Sequence, residues 1–413
     1  DTILFLRPTE SLTIFIQQLG RGLRLDDDKE VLTVLDFVGH AHANYDFAFK
    51  YRALTGRTSR SIEKEIKDDF PNMPAGCHIR MEKLAKEYVL DNIRSAVFNI
   101  RDLRKMLENY NYNFTDSLNL SNFLKNYNLD RKRFYSKYSF YNLLSQVDQI
   151  EDFKADDFTR LKAGLRRMEA VDSYRLLSFY KRLLTEDMDL KKFDSLERKK
   201  LGMFHYCLWG DVADKGYGYY LERLKKNNRS IKEEVLDLID LNLSSLENIE
   251  IPYEDDQVPL DIYASYSLED VMVAFGKTRE DYKYPIRQGV LYVEDKHTDL
   301  FFITINKNEQ DYLPTTMYND YAINSRYFNW ESQTTTSLSS NTGKRYLSKD
   351  PNHKILLFVR EHKNQYGAAA PYIFLGRARY ESHEGSNPIE MVLKMDNEIP
   401  ETIIRKSSLK RVN

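Results

Sequence analysis

The chain has 413 residues, 42% hydrophobic and 30% charged, with a formal net charge of −2. That length suits roughly two to four domains, and the absence of any apolar run of about 18 residues excludes a membrane-spanning helix. The near-zero charge excludes a global basic field, so contact with nucleic acid must use local patches. The only two cysteines, Cys77 and Cys207, argue against a disulfide framework and fit a reducing, cytoplasmic setting.

The chain opens without an initiator Met or a basic leader, so Asp1–Leu6 reads as an internal strand of a longer polypeptide. Residues 2–7 form a short apolar run that Pro8 stops, and Thr9 or Ser11 can cap the next helix. Leu12 to Leu23 has apolar residues at 12, 15, 16, 19 and 23, close to helical spacing. After an acidic turn, residues 31–38 are a continuous apolar run, typical of a strand covered on both faces. Strand, helix and strand at this spacing make one unit of a parallel sheet.

Helical stretches dominate from about 44 to 250, for example Met81–Ile100, Asp156–Leu184 and Ile231–Leu246, and the acidic segment Pro252 to Pro259 reads as a linker. Arg131-Lys132-Arg133 and Arg166-Arg167 are basic spots that could meet a DNA backbone, although acidic neighbours such as Asp130 and Glu169 favour plain solvated helix faces. Strands take over from about 260. Residues 289–293 and 300–305 read as a hairpin, with further strands at 354–360, 372–375 and 390–395, which suggests a small β-barrel or sandwich. The division expected is therefore an α/β segment at 1–43, a helical accessory domain at 44–256 and a β-rich domain at 257–413.

The chemistry concentrates in Gln17-Gln18-Leu19-Gly20-Arg21-Gly22-Leu23-Arg24. Arg21 and Arg24, four and seven residues after Gln17, fall on one side of a helix. Gly20 and Gly22 remove side chains, so a backbone or phosphate can approach. Two fixed guanidinium forks can stabilise charge on a transferring phosphoryl group. In the β-rich part, residues 326–346 are the binding candidate. Arg326, Trp330, Gln333, Lys344 and Arg345 combine stacking, base-edge and phosphate-holding groups in what reads as a loop; the alternative is an ordinary polar loop whose Trp330 anchors the β-rich domain. The pairs Cys77/His78, His205/Cys207 and His383/Glu384 lack metal-ligand spacing, so no metal site is expected.

The arginine segment resembles motif VI of superfamily 2 helicases, Gln-x-x-Gly-Arg-x-x-Arg. Leu6-Arg7-Pro8-Thr9-Glu10-Ser11 looks like the tail of motif V, and Leu35-Asp36-Phe37-Val38-Gly39 like the last strand of the second RecA-like domain. The resemblance implies that Arg21 and Arg24 are arginine fingers and that Gln17 links the ATP site to the motif. It gives Thr9 and Ser11 the role of contacting nucleic acid or coupling it to ATP. No Gly-x-x-x-x-Gly-Lys-Ser/Thr loop and no Asp-Glu magnesium box occurs, and Gly276-Lys277-Thr278 only mimics the end of the former. ATP and Mg2+ would then be held by an upstream helicase domain of the same polypeptide, and this chain alone should not hydrolyse ATP.

The stretches Pro74–Ile79, Glu87–Ile93, Thr315–Ala322, Phe328–Gln333, Leu356–Glu361, Ala370–Tyr372 and Tyr380–Ser386 extend the likeness over most of the chain. They are similar to bacterial proteins that fuse a phospholipase-D-like nuclease domain, a superfamily 2 helicase core and a C-terminal domain of unknown function. That resemblance implies an ATP-dependent DNA helicase or translocase of a bacterial defence or restriction-like system, with DNA as partner. The nuclease pattern His-x-Lys-x-x-x-x-Asp is not found. The alternative is a non-catalytic DNA- or protein-binding module that keeps a helicase remnant as a structural edge.

Overall fold

A computed structural model describes residues 2–6, 12–23, 31–38, 47–55, 62–71, 73, 77–96, 99–114, 116–127, 129–150, 153, 155–246, 251–285, 289–306 and 320–408. The chain forms two compact units, one from Asp1–Phe134 with Asn142–Asp152, the other from Tyr135–Tyr141 with Phe153–Asn413.

The first unit opens with β1 (Thr2–Phe5), α1 (Leu12–Gly22) and β2 (Thr33–Asp36). β1 and β2 pair in parallel, Thr2 opposite Thr33 and Phe5 opposite Asp36, a pairing that requires a crossover between them. α1 lies in that crossover and packs Phe15 on Phe5, ring centroids 5.1 Å apart. Short helices come next: α2 (Phe47–Thr55), α3 (Ile62–Lys67), α4 (Lys83–Ala96), α5 (Ile100–Glu108), α6 (Tyr110–Asn113) and α7 (Leu120–Asn126), then α8 (Arg131–Lys137) and α9 (Phe140–Ser145), whose residues are divided between the two units. Phe47, Tyr51, Ile66, Phe70, Val89 and Ile93 make the core of α2, α3 and α4. Asparagine side chains at Asn99 and Asn119 cap α5 and α7, each accepting a backbone N–H that the first turn leaves open.

The second unit continues with α10 (Phe158–Glu169), α11 (Tyr174–Thr185), α12 (Ser195–Trp209), α13 (Tyr217–Asn227) and α14 (Arg229–Ser244). α12 starts in a capping box between Asp194 and Glu197 and is buried on every side from Leu201 to Trp209. It stops at Gly210, whose φ of 73° suits glycine. Short strands β3 (Ile251–Pro252), β4 (Asp261–Ile262) and β5 (Ser265–Tyr266) then lead to α15 (Leu268–Ala274).

The remainder is built on one mixed sheet. Its strands are β6 (Val290–Val293), β7 (Thr298–Thr304), β8 (Tyr321–Ala322), β9 (Tyr327–Glu331) and, after α16 (Asn341–Tyr346), β10 (Lys354–Arg360). The small pair β11 (Asn364–Gln365) and β12 (Ala368–Ala369) precedes β13 (Tyr372–Glu384), β14 (Glu390–Met395) and α17 (Glu401–Ser408). The order is β6-β7-β10-β13-β14-β9-β8, with β5 beside β13. β7 and β10 run parallel along their full length, and β7 is buried at every position. Phe301, Ile303, Trp330, Ile355, Leu357, Met391 and Leu393 form one apolar face, covered by Tyr346 of α16 and Ile403 of α17. Phe302, Phe358 and Phe374 stack on the other face.

The expected barrel is not formed, because the strand order has two ends, β6 and β8, among the described residues. Two features explain the difference. The parallel β7–β10 step places β8, β9 and α16 in a crossover, which breaks the simple meander of an up-and-down barrel. β13 also shifts register twice, opposite Leu357/Phe358 and at Tyr380/Ser382, and so serves β10 with one half and β14 with the other.

Candidate functional site

Two places bear on the residues singled out from the sequence. The first is α1. Phe15 anchors its inner side, while Gln17, Gln18, Gly20 and Arg21 are exposed. Gly22 sits where any Cβ would run into the Ile3 side chain and meet Leu32 at 3.1 Å, so this glycine lets the helix end lie close to both strands. Gly20 has nothing within 4 Å of its would-be Cβ, leaving the backbone beside Arg21 open to approach. Asp36, at the end of β2, accepts from Lys50 Nζ of α2 at 2.6 Å, and the same ammonium lies 4.7 Å from the Phe15 ring centre. Lys50 is buried, so this pair fixes α1, β2 and α2 together. Thr9, Ser11 and Arg24 lie outside the described residues.

ATP and Mg2+ would need a phosphate cradle, and Gly276-Lys277-Thr278 does not fit one. It comes after helix α15 instead of opening a helix, Lys277 pairs with Asp295 at 3.3 Å, and Thr278 is buried, accepting from the Tyr284 backbone N–H. The side of α1 that carries Gln17 and Arg21 is exposed.

The second place is the segment 326–346, which is strand β9 and helix α16 with a connection between them, not one loop. Trp330 is 5% exposed and stacks on Phe301 at 4.1 Å, with Tyr346 edge-on at 5.5 Å. It is core, closed to a base. Arg326 donates to Glu398 at 3.1 Å and to the Asp396 carbonyl at 3.2 Å, while Gln333 is half-buried and Lys344 exposed. Arg345 reaches inward, donating through Nε and Nη2 to Asp299 at 2.7 and 3.0 Å.

Asp299 is the residue that sequence reading missed. Its carboxylate is buried on β7 and also meets His353 Nε2 at 2.7 Å, so one carboxylate organises an arginine and a histidine. Tyr292, opposite Asp299 on β6, lies under the Arg345 guanidinium at 3.9 Å from the ring centre. His297 Nδ1 stands 3.4 Å from the Tyr292 hydroxyl. The available signal was an acid, Asp299, at the head of the apolar run Leu300–Ile305, with His297 two positions before it.

Other titratable groups are structural. His205 is buried against Trp209, Tyr217 and Tyr220, and burial holds it down at about 4. Burial also pushes the Cys207 thiol far up, so it is neutral. Glu234 is pushed up to about 7 by burial, against the pull of Ser139 and the Phe140 and Tyr141 N–H groups from which it accepts. The Tyr380 hydroxyl and His383 Nδ1 lie 2.7 Å apart at the far end of β13.

The family described as a domain of unknown function, DUF3427, matches residues 260–406, the stretch that contains the mixed sheet, α16 and most of α17. No curated protein matches the chain. No helix among the described residues is long and apolar enough to cross a membrane.

Proposed function

We propose that the chain is the C-terminal part of an ATP-dependent, DNA-directed helicase or translocase. On this reading α1 presents Gln17 and Arg21 to a nucleotide held by an upstream domain, and Arg24 is the second arginine finger that the motif resemblance implies. The observation that carries the reading is the parallel β1–α1–β2 unit with Arg21 exposed on its helix. Parallel strands are ordinarily covered on both faces. Here Leu4, Leu6, Val31, Leu35 and Phe37 are exposed, as expected for a piece of a larger α/β layer.

Bound ATP would supply the phosphoryl group and Mg2+ would neutralise its oxygens. The role of this chain is positional: a guanidinium fixed on a helix braced by Phe15 and Lys50 meets the anion from one side. The test is ATP turnover with and without DNA, measured on the natural polypeptide and on this chain alone. DNA-stimulated turnover by the former and none by the latter supports the reading. A natural polypeptide that never hydrolyses ATP contradicts it.

A further inference from the structure

Arg345 is held firmly yet not used up. A guanidinium carries five N–H donors in a rigid plane. Asp299 engages two of them, and among the described residues no acceptor meets the other three. The side chain keeps 23% of its surface exposed, and its charge rests on the Tyr292 ring. The three donors that Asp299 does not take lie on the solvent side, where water or a ligand oxygen can accept from them. The guanidinium is pre-set, with its outer edge open, so a ligand meeting it loses little side-chain freedom.

Lys344, next to Arg345 on α16, and Lys349, just past the end of that helix, are exposed and basic, and no carboxylate pairs with either among the described residues, while Glu294 and Asp295 are exposed in the β6–β7 turn. His353 shares the Asp299 carboxylate, and exposed His297 adjoins Tyr292. The exposed acid nearest in sequence, Asp350, turns an oxygen to the Asn352 backbone N–H.

We infer that this corner of the mixed sheet binds the phosphodiester backbone of DNA, with Arg345 as the fixed anchor and Lys344 and Lys349 as flanking charges. Asp299 and Tyr292 act as positioning residues for the anchor. A fork suits a tetrahedral oxyanion, and nucleic acid offers such anions in series, matching one fork with point charges beside it. The inference rests on the reading of the chain as DNA-directed and gives its DUF3427-matching region a contact of its own.

The experiment is fluorescence anisotropy of this chain with labelled single-stranded and duplex oligonucleotides across a salt series. Three proteins are compared: the parent, Arg345→Lys, which keeps the charge and loses the fork, and the double variant Lys344→Ala/Lys349→Ala, whose exposed positions leave folding intact. Arg345→Lys is expected to weaken binding about tenfold, in line with loss of one bidentate contact. The double variant is expected to lower the slope of log affinity against log salt by about 1 to 2. Unchanged affinity and slope in both overturns the site, as does competition by poly-glutamate equal to that by DNA, which would point to an acidic protein partner. Either failure leaves ATP turnover by the natural polypeptide untouched, so it is distinguishable from failure of the motor reading.

Discussion

Trp330 and Arg345 show how little residue type alone decides. Both are residues that nucleic-acid interfaces favour, and both lie in one stretch of sequence. Trp330 falls on the buried side of β9, stacked on Phe301, so its truncation removes core contacts. Trp330→Ala is expected to lower stability by about 3 to 5 kcal/mol, read from urea unfolding. An unchanged midpoint would mean that the ring does not belong to the core. The partners of Arg345 were not legible, because Asp299 lies 46 positions away and His353 meets that same acid from 54 positions beyond it. Such a cluster exists only once β7 and β10 pair.

Buried titratable groups make a second residue-scale expectation. Glu234 is pushed from 4.5 to about 7, chiefly by burial, so the folded chain holds its proton more tightly than the unfolded chain does. Its contribution is full below about 4.5 and is lost as pH rises through about 7. His205 runs the other way. Lowered from 6.5 to about 4, it contributes above 6.5, and that contribution is lost as pH falls through about 4. Glu234→Gln should therefore flatten the decline of the urea midpoint between pH 4.5 and 7, whatever its constant effect on stability. A pH profile parallel to the parent's would contradict this assignment.

Close approach decides the packing of elements. α10 and α12 meet at Gly164, where an added Cβ would lie 2.7 Å from the Leu208 Cα and against its carbonyl. Alanine ordinarily favours a helix interior by about 1 kcal/mol over glycine. At this position the backbone of α12 cannot yield cheaply, so Gly164→Ala is expected to destabilise by at least about 1 to 3 kcal/mol. A thermal scan showing a higher Tm would refute the contact.

Local pattern carried much of this level. The apolar runs at 2–7 and 31–38 contain β1 and β2, the period over 12–23 contains α1, and 354–360 and 390–395 coincide with β10 and β14. Asp156–Leu184 reads as a helical stretch and holds two helices: α10 ends at Glu169, and Ser173 caps the start of α11. The parallel β7–β10 pairing was invisible, since nothing local distinguishes it from a hairpin partner.

At the scale of the molecule, the chain joins pieces of different completeness. The mixed sheet has apolar layers on both faces and helices over one of them. The β1–β2 pair, in contrast, leaves apolar side chains in the open. The proposed motor function would account for that contrast, since on that proposal other strands extend the layer that holds α1. The most direct measurement is steady-state ATP turnover with saturating DNA by the natural polypeptide carrying Arg21→Ala, paired with ATP affinity measured by direct binding. Turnover is expected to fall by about a hundredfold or more, as for loss of a preorganised charge-stabilising donor, with affinity near that of the parent. Turnover equal to the parent's would contradict the proposed motor function.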